Sequence, residues 1–492
     1  MPDAAIFAMV GAIVAGIGVG ERLGASPATP TLVLAAAMLG LAVALRGRRG
    51  CVLALIAAVL LGSALVQRAL DGLEHWPLAA AVARRADATL TGSLVGDPEG
   101  TRYSTWAVLR ISSASLTGAG PVDAGGRRVL VHADADAAQR VRLLGAGDRL
   151  TMAGWLRPLE GPDERLRWRH VVARFDTTHL LAFGASRSPL MHAANDLRAR
   201  VLDGTRTLPP TERGLVAAFL VGDTRDLPHA VVERFRGSGM SHLLVVSGEN
   251  VAFVLALVSP VLRRLPYRAR FVAGLAVLLV FGAMTRWEPS VLRACAMAAC
   301  AMTGVVLGRP VTGRRVLALA VGGLLLADPF LLHSIGFLLS CGACAGIVFL
   351  GPRLVAVCPG SVWLRTVLGT TAAAQLGVIP VLLPVFGSIP LVSLPANLVA
   401  IPLAAPLTTW GLVAGLVGGL VPSLVSVLNA PTRLLADGML GIADLASRAP
   451  LTVDVRGVIG LVAIAALAAA VVLGRMLRRH APTDAALVVP PR

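Results

Sequence analysis

The chain has 492 residues, of which 55% are hydrophobic and only 15% are charged, and its mean hydropathy is +0.74. A soluble domain would carry about a quarter charged residues, so this composition indicates a polytopic membrane protein. The formal net charge is +17, and every basic residue is arginine because the sequence contains no lysine. A P-loop needs its lysine to reach the phosphates, so the sequence excludes a Walker-type ATPase. Energy for any transport must then come from a gradient or from a partner.

Three apolar runs open the chain, at residues 4–20, 31–45 and 51–67. The first run has no positively charged segment before it and a second run follows closely, so we expect a retained span rather than a cleaved signal peptide. Residues 1–67 are therefore predicted to form three N-terminal transmembrane helices.

Residues 68–185 change character, with short alternating segments separated by Gly, Asp and Pro. This pattern is typical of a small all-β barrel or sandwich. The segment contains no cysteine, and it is large enough to fold without a disulfide. Residues 186–240 return to a helical, amphipathic pattern interrupted by Pro209-Pro210, which predicts a helical connector.

Residues 241–476 are again mostly apolar and predict a transmembrane channel domain, followed by a polar tail at 477–492. About ten or eleven spans are expected in total. The arginine-rich loops are those at residues 46–49, 263–270, 309–315, 353 and 475–479. One orientation makes all of them cytoplasmic, and it places both termini in the cytoplasm and the β domain outside.

The predicted β domain is only modestly basic, with 14 arginines against 11 acidic residues between positions 81 and 180. Proteins that bind single strands combine cationic contacts to the backbone with aromatic platforms for the bases. The candidates for this role are Tyr103, Trp106, Trp155, Arg167, Trp168 and Arg169. The alternative is that the alternating aromatic residues fill the core of the barrel.

Polar side chains inside apolar segments are costly, so each one is a candidate for a functional site. They are His242, Ser247, Gly248, Glu249, Asn250, Arg293, Asp328, His333, Ser334, Ser340, Gln375 and Asn397. Arg293 is the most informative, because an arginine at that depth needs a carboxylate, a water-filled cavity or an anionic substrate. Glu249 is one candidate partner. Ser247-Gly248 is expected to break the apolar helix, as in spans that line a translocation path, although a polar face between helices is the alternative.

Catalytic and metal sites fit the sequence less well. His242 and Ser247 are five residues apart, which does not place them well on one helical face, and no clear acid completes a triad. The nine histidines show no metal-binding spacing, so we predict neither a metal nor a cofactor. Cys341 and Cys344 form a C-x-x-C inside an apolar segment, and close packing of small residues explains this pair better than redox chemistry does.

Five sequence motifs resemble the ComEC family, the inner-membrane DNA channel of natural competence. In chain order they are "GLVAAFLVGDTRDLP" with Asp223, "GMSHLLVVSGENVAFV", "TRWEPSVLRACAM", "ADPFLLHSIGFLLSCGACAGI" and "FGSIPLVSLPANLVAIPLAAPL". The resemblance covers roughly residues 1–425 and is specific because all five motifs occur in order. Many members end in a metallo-β-lactamase-like domain with an HxHxDH motif. This sequence has no such motif, so we expect the form that lacks this domain.

The resemblance implies a polytopic α-helical membrane protein with an extracytoplasmic, OB-like β domain inserted after the third span. It implies a channel that carries single-stranded DNA across the cytoplasmic membrane during natural transformation, and not an enzyme. Asp223 and the polar residues of the apolar segments would then line the path. The expected partners are single-stranded DNA, membrane lipid, a DNA-receptor protein outside, a cytoplasmic ATPase or helicase and a separate nuclease. The alternative function is a transporter or scaffold for another envelope solute, with the β domain as a protein-binding module.

Overall fold

The fold was analysed in a computed structural model, which describes residues 3–45, 47–101, 103–309, 311–390, 392–448 and 452–454. The expected last span, the tail at 477–492 and the arginines at 46 and 475–479 lie outside these residues. The N-terminal helices are α1 (Asp3–Leu23), α2 (Thr29–Ala44), α3 (Arg48–Glu74) and the short α4 (Ala79–Ala83). Helices α1 and α3 pack at backbone contact, because a Cβ on Gly16 would lie 2.0 Å from the Val59 carbonyl oxygen.

A separate β domain follows α4, as the alternating pattern predicts. Its strands are β1 (Asp87–Leu94), β2 (Glu99–Gly100), β3 (Ser104–Leu116), β4 (Gly120–Val122), β5 (Arg128–Asp134), β6 (Arg149–Arg157) and β7 (Val171–Gly184), with helix α5 (Ala135–Arg142) between β5 and β6. A 3₁₀ turn, Gly161–Arg169, joins β6 to β7.

The five long strands of this domain close on themselves. Their pairing runs β1-β6-β7-β5-β3, and β3 also pairs with β1. All of these pairs are antiparallel except β5 with β7. Alternate residues point inwards, and the core includes the fully buried Leu90, Leu109, Met152 and Phe175. The domain therefore has a hydrophobic interior of its own.

Twelve helices follow the β domain in the described part of the chain. They are α6 (Pro189–Asp203), α7 (Pro210–Val221), α8 (His229–Gly237), α9 (Gly248–Leu262), α10 (Tyr267–Met284), α11 (Pro289–Val306), α12 (Gly313–Ala327), α13 (Ile335–Phe349), α14 (Gly351–Val357), α15 (Val362–Phe386), α16 (Ser393–Leu420) and α17 (Val425–Ser447). The strands β8 (Ser388–Pro390) and β9 (Thr452–Asp454) pair antiparallel beyond α15.

Six helices of the described chain are long and apolar enough to cross a membrane, namely α1, α3, α10, α11, α15 and α16. Helices α13 and α14, bent by 54° at their junction, would make a seventh if they form one span. The count is lower than the ten or eleven expected, since several apolar segments form shorter helices. Thr29–Ala44 and Gly248–Leu262 are such apolar helices.

Small residues bring α13 and α15 together. A Cβ on Gly346 would lie 2.0 Å from the Ala373 carbonyl oxygen, and one on Gly377 would lie 2.2 Å from that of Gly342. This packing surrounds the C-x-x-C of α13 and accords with small-residue packing as its structural role. Helices α10, α11 and α16 pack against α9, which follows the polar break.

Candidate functional site

The apolar stretch 241–258 is broken at its polar centre, as expected. A 3₁₀ turn covers Ser241–Leu243, and α9 begins only at Gly248. Ser247 caps this helix, since its Oγ accepts a hydrogen bond from the Glu249 backbone N–H at 3.2 Å. The break therefore presents the N-terminus of an apolar helix to its neighbours.

Arg293 lies directly beside this helix start. It belongs to the second turn of α11 and is 6% exposed. Its Nε donates to Ser340 Oγ at 2.8 Å, and its Nη1 lies 2.8 Å from Cys344 Sγ and 3.0 Å from Met297 Sδ. Within the described chain Arg293 has no ion pair, so Glu249, one candidate partner, does not pair with it. Its partners are a hydroxyl and two sulfur atoms. The sulfur atoms are weak hydrogen-bond acceptors.

Close packing of α9 on α11 explains why glycine begins α9. A Cβ on Gly248 would lie 2.2 Å from Arg293 Nη2 and 3.2 Å from the Ser290 carbonyl oxygen. The Ser290 hydroxyl donates to the Val246 carbonyl at 2.8 Å and so holds the segment before the helix. The "SGEN" and "PSVLR" segments, 40 residues apart in the chain, therefore form one site.

Asn250 fixes the break to α7. Its Nδ2 donates to the Phe219 carbonyl at 3.0 Å, and its Oδ1 accepts from the Ser247 hydroxyl at 3.4 Å. The side chain is 7% exposed and is satisfied by these contacts. Glu249, in contrast, is exposed. The adjacent carboxylate and amide thus face different environments.

A second polar group lies between α15 and α16. Gln375 Nε2 donates to Ser393 Oγ at 3.2 Å, and Ser393 packs against Gly239 just before His242. His242 is exposed. Asn397 is 1% exposed, and both polar atoms of its amide lack a hydrogen-bond partner in the described chain. Such buried, unsatisfied amides are rare in proteins.

Three predicted path residues do not join this polar region. Ser334 caps α13, because its Oγ accepts from the Phe337 N–H. Asp328 accepts from the Phe330 N–H at 3.0 Å and contacts His170 Nε2 of the β domain at 3.0 Å. Asp223 belongs to a buried cluster described next. Asp223 and Asp328 thus contact groups that join the β domain to the helices.

The interdomain ion cluster consists of Asp97, Arg198, Asp223, Arg225 and Arg286. Arg198 Nη2 lies 2.9 Å from Asp97 and 3.1 Å from Asp223, while Arg286 Nη2 lies 2.7 Å from Asp97. Arg225 binds Asp223 through two nitrogens, at 2.9 and 2.7 Å. The Arg198 and Asp97 side chains are only 5% and 13% exposed. Asp97 belongs to the β domain, so the cluster fixes that domain to α6, α7 and the loop before α11.

The electrostatics of the cluster favour ionised carboxylates. Burial opposes ionisation, but the Arg198 and Arg286 guanidiniums outweigh it and hold the pKa of Asp97 below its ordinary value. Burial likewise opposes ionisation of Asp223, and the hydrogen-bonded Arg225 lowers its pKa well below the usual range. Burial lowers the pKa of Arg198 despite both carboxylates. The Asp97 and Asp223 carboxylates are therefore ionised at neutral pH.

The aromatic candidates of the β domain fall into two groups. Tyr103, Trp106 and Trp155 are 65%, 43% and 45% exposed, so the alternative in which they fill the core is wrong for them. Trp168 instead stacks on the His333 ring, with centroids 3.8 Å apart, and Arg167 lies over the Trp168 ring. The stacked Trp168 joins the β domain to the 3₁₀ turn Pro329–His333.

Sequence reasoning missed Asp97, Arg198 and Arg286. Arg198 lies in an ordinary amphipathic pattern, and Asp97 lies in a turn sequence, "GDPEG", where aspartate is common. Of these three residues, only Arg286 could have been singled out from the sequence, since it lies between an apolar helix and the "WEPS" motif. Arg286 and Trp287 both have positive φ, 60° and 55°, which is unusual outside glycine and occurs at constrained sites.

The comparisons with known proteins agree with these motifs. The family described as Competence protein matches residues 219–480, more than half of the chain. ComE operon protein 3 of Bacillus subtilis (strain 168) is 29% identical over 214 residues, which are 42% of this chain and 26% of that protein. The uncharacterized protein YcaI of Escherichia coli (strain K12) is 28% identical over 232 residues, 43% of this chain and 30% of that protein.

The chain thus spans less than a third of the length of the curated relatives it matches. No solved structure matches it. The matched family region contains α9, α11, α13 and α16, and therefore the whole polar break with Arg293. The six apolar helices and this match fit a multi-pass protein of the inner membrane. The chain belongs to the ComEC family of competence proteins.

Proposed function

We propose that this protein conducts single-stranded DNA across the cytoplasmic membrane during natural transformation. The main observation behind this proposal concerns Arg293, which is a buried cation at a helix break. The described partners of Arg293 include no carboxylate. An unpaired buried charge is costly and is retained where it serves a function. Phosphate is the substrate group that arginine binds best, through paired hydrogen bonds. A passing DNA backbone would supply the missing negative charge.

The position of Arg293 supports a role near the mouth of the path. It lies four residues after Pro289, the first residue of α11, and packs on Gly248, the first residue of α9. Both helix starts are on the side that faces the β domain, since Arg286 and His333 contact that domain from neighbouring loops. A strand leaving the β domain would reach this polar break first. His242, Ser247, Glu249, Ser340, Gln375 and Asn397 would extend the path from there.

The β domain would receive the strand. Its pairing order closes five strands with one parallel pair, and α5 lies between β5 and β6, an arrangement that supports an OB-like barrel. OB folds bind single strands, with aromatic side chains as platforms for the bases. Exposed Tyr103, Trp106 and Trp155 suit this role, together with Arg169. Arg167 and Trp168 are now proposed as docking residues rather than as base platforms.

We propose the orientation that the arginine-rich loops favour, with the β domain outside and the termini in the cytoplasm. The contact pattern supports it, because Glu21 at the end of α1 pairs with His333 while Asp3 at its start pairs with Arg315. The domains would then be 1–67, 68–185, 186–240, 241–476 and 477–492. A cytoplasmic ATPase or helicase would supply the force, a receptor outside would deliver DNA, and a separate nuclease would remove the other strand.

A second candidate is a transporter or scaffold for another envelope solute, with the β domain as a protein-binding module. The modest charge of that domain, 14 arginines against 11 acidic residues between positions 81 and 180, favours it. The two functions differ in one measurable property. Only the DNA function requires the protein to bind oligonucleotides with an affinity that falls as salt rises.

The test is uptake of labelled DNA by a strain that lacks the gene, complemented with wild type or with Arg293→Ala. We expect surface binding of DNA to persist in the deletion strain while entry and transformation are lost. Arg293→Ala should leave the protein in the membrane at normal level and restore neither. Normal transformation by the deletion strain would refute the function, whereas full activity of Arg293→Ala would remove only this residue from the path.

A further inference from the structure

Two arginines lie directly opposite each other on the β domain. Arg110 of β3 pairs in register with Arg128 of β5. The Ile111 N–H donates to the Arg127 carbonyl at 2.8 Å, which makes Arg110 and Arg128 a non-hydrogen-bonded pair. Opposite side chains are closest in pairs of this kind. The strand register therefore forces two guanidiniums into proximity.

This arrangement is locally unfavourable. Like charges directly opposite each other destabilise a sheet, and neither arginine has an ion pair among the described residues. Arg128 Nη1 donates to the Arg169 carbonyl at 3.0 Å, which is a neutral acceptor. Burial and the Arg110 guanidinium lower the pKa of Arg128, and the Asp328 carboxylate offsets this only in part. Violations of a local rule are expected at functional sites.

The pair shares a face with a proposed base platform. Along β3, Ala107, Leu109 and Ile111 are buried in the barrel, so Trp106 and Arg110 both point outwards. They are four positions apart, about 13 Å along the strand. A single strand crossing this face would meet an aromatic ring and then two unpaired cations. This is the combination that single-strand binders use.

We infer that Arg110 and Arg128 form a phosphate-binding site for the backbone of single-stranded DNA, next to the Trp106 platform. The inference rests on the proposed function and names the part of the barrel that holds the phosphodiester. A phosphate between the two guanidiniums would replace their repulsion with two charge-assisted contacts. It would also set the direction in which the strand leaves the barrel, because Arg128 lies beside Arg169 at the docked edge of the domain.

The test measures binding of a fluorescent oligothymidylate to the full-length protein in zwitterionic nanodiscs over a series of salt concentrations. The variants are Arg110→Gln and Arg128→Gln, and the control is Arg140→Gln on α5, another exposed arginine of the same domain. Each phosphate contact contributes about 0.7 to the slope of log affinity against log salt. We expect the slope to become less steep by about that amount in each variant and to stay unchanged in the control.

Thermal unfolding provides a second measurement. Without DNA, Arg110→Gln should raise the melting temperature, because it relieves the like-charge repulsion. With DNA, the increase in melting temperature caused by the oligonucleotide should be smaller than for wild type. A purely structural role for Arg110 would lower the melting temperature without DNA and would overturn the inference.

Three other outcomes are distinguishable. If wild type binds with salt dependence but both variants bind like the control, the inference fails and the proposed function stands. If the wild-type protein shows no salt-dependent affinity for the oligonucleotide, both the inference and the proposed function fail. Lipid headgroups are the other source of phosphodiester. Repeating the experiment in anionic nanodiscs tests whether the two arginines bind these headgroups instead of DNA. An arginine effect that appears only with anionic lipid would assign the pair to the membrane and overturn the inference.

Discussion

Replacing Asp97 by asparagine removes the only carboxylate that the β domain contributes to the interdomain ion cluster. The Asp97 carboxylate forms ion pairs with Arg198 at 2.9 Å and with Arg286 at 2.7 Å. It also accepts a hydrogen bond from the Ala146 N–H at 3.0 Å. Asparagine keeps one acceptor oxygen but turns an amino group towards two cations. Arg198 still has Asp223, whereas Arg286 keeps only the neutral acceptors Asn195 and Ala283.

The expected cost is large because the groups are buried. The side chains of Asp97, Arg198 and Arg286 are 13%, 5% and 11% exposed. Removing one partner of a buried pair costs about 3–5 kcal/mol, since the other charge stays desolvated. For a chain of this length the conversion is about 1 °C per kcal/mol, so the melting temperature should fall by about 3–5 °C. The folded pKa of Asp97 is depressed, so its stabilisation is present at neutral pH and is lost as pH falls from its unfolded pKa through the lower folded one.

The assay is thermal unfolding of the full-length protein in detergent at pH 7, followed by loss of the monodisperse peak in size-exclusion chromatography. Glu160→Gln is the control, because Glu160 forms an exposed pair with Arg85 and should change the melting temperature little. A melting temperature for Asp97→Asn equal to the control would refute the reasoning.

Three further predictions concern the helices and the docked aromatic ring. Arg293→Ala should lower transformation to the level of the deletion strain without changing the melting temperature much, and normal transformation would contradict this. Gly204→Ala should destabilise the folded protein by about 1–3 kcal/mol, since the new Cβ would lie 1.8 Å from the Gly415 carbonyl oxygen. Gly441→Ala is the control in the same unfolding assay and should not destabilise the protein, because nothing lies within 4 Å of its Cβ. Trp168→Ala should speed proteolysis between the β domain and α6, and unchanged cleavage would argue against docking by this ring.

The membrane class, the β insertion and the helix break were all predictable from the sequence, because each depends on local pattern. The break before α9 follows from "SGEN", where a serine cap and a glycine stop the apolar run. The β domain follows from alternation and turn residues over about a hundred positions. The five motifs predicted the family, and the match over residues 219–480 confirms it.

The partners of the charged residues were not predictable, because they depend on long-range packing. Arg293 was expected to need a carboxylate, a water-filled cavity or an anionic substrate, and no sequence pattern indicated that packing places Ser340, Cys344 and Met297 within its reach. Asp223 was assigned to the path, yet it pairs with arginines from α6 and from its own loop. No sequence pattern relates two residues whose contact arises only when separate helices pack.

The charged residues of the membrane half differ in whether a group of opposite charge lies beside them. Asp223 and Asp328 have arginine or histidine partners close at hand, and their contacts reach groups that join the β domain to the helices. They therefore have little free charge to offer to a passing phosphate, and as carboxylates they would repel it. Among the described residues Arg293 has only neutral partners at the polar break, so on the proposed function its charge would be available to a phosphate. If the proposed function holds, a conduit for a polyanion would need this separation, because acidic residues that anchor the domains would be neutralised away from the path while cations on the path would not be.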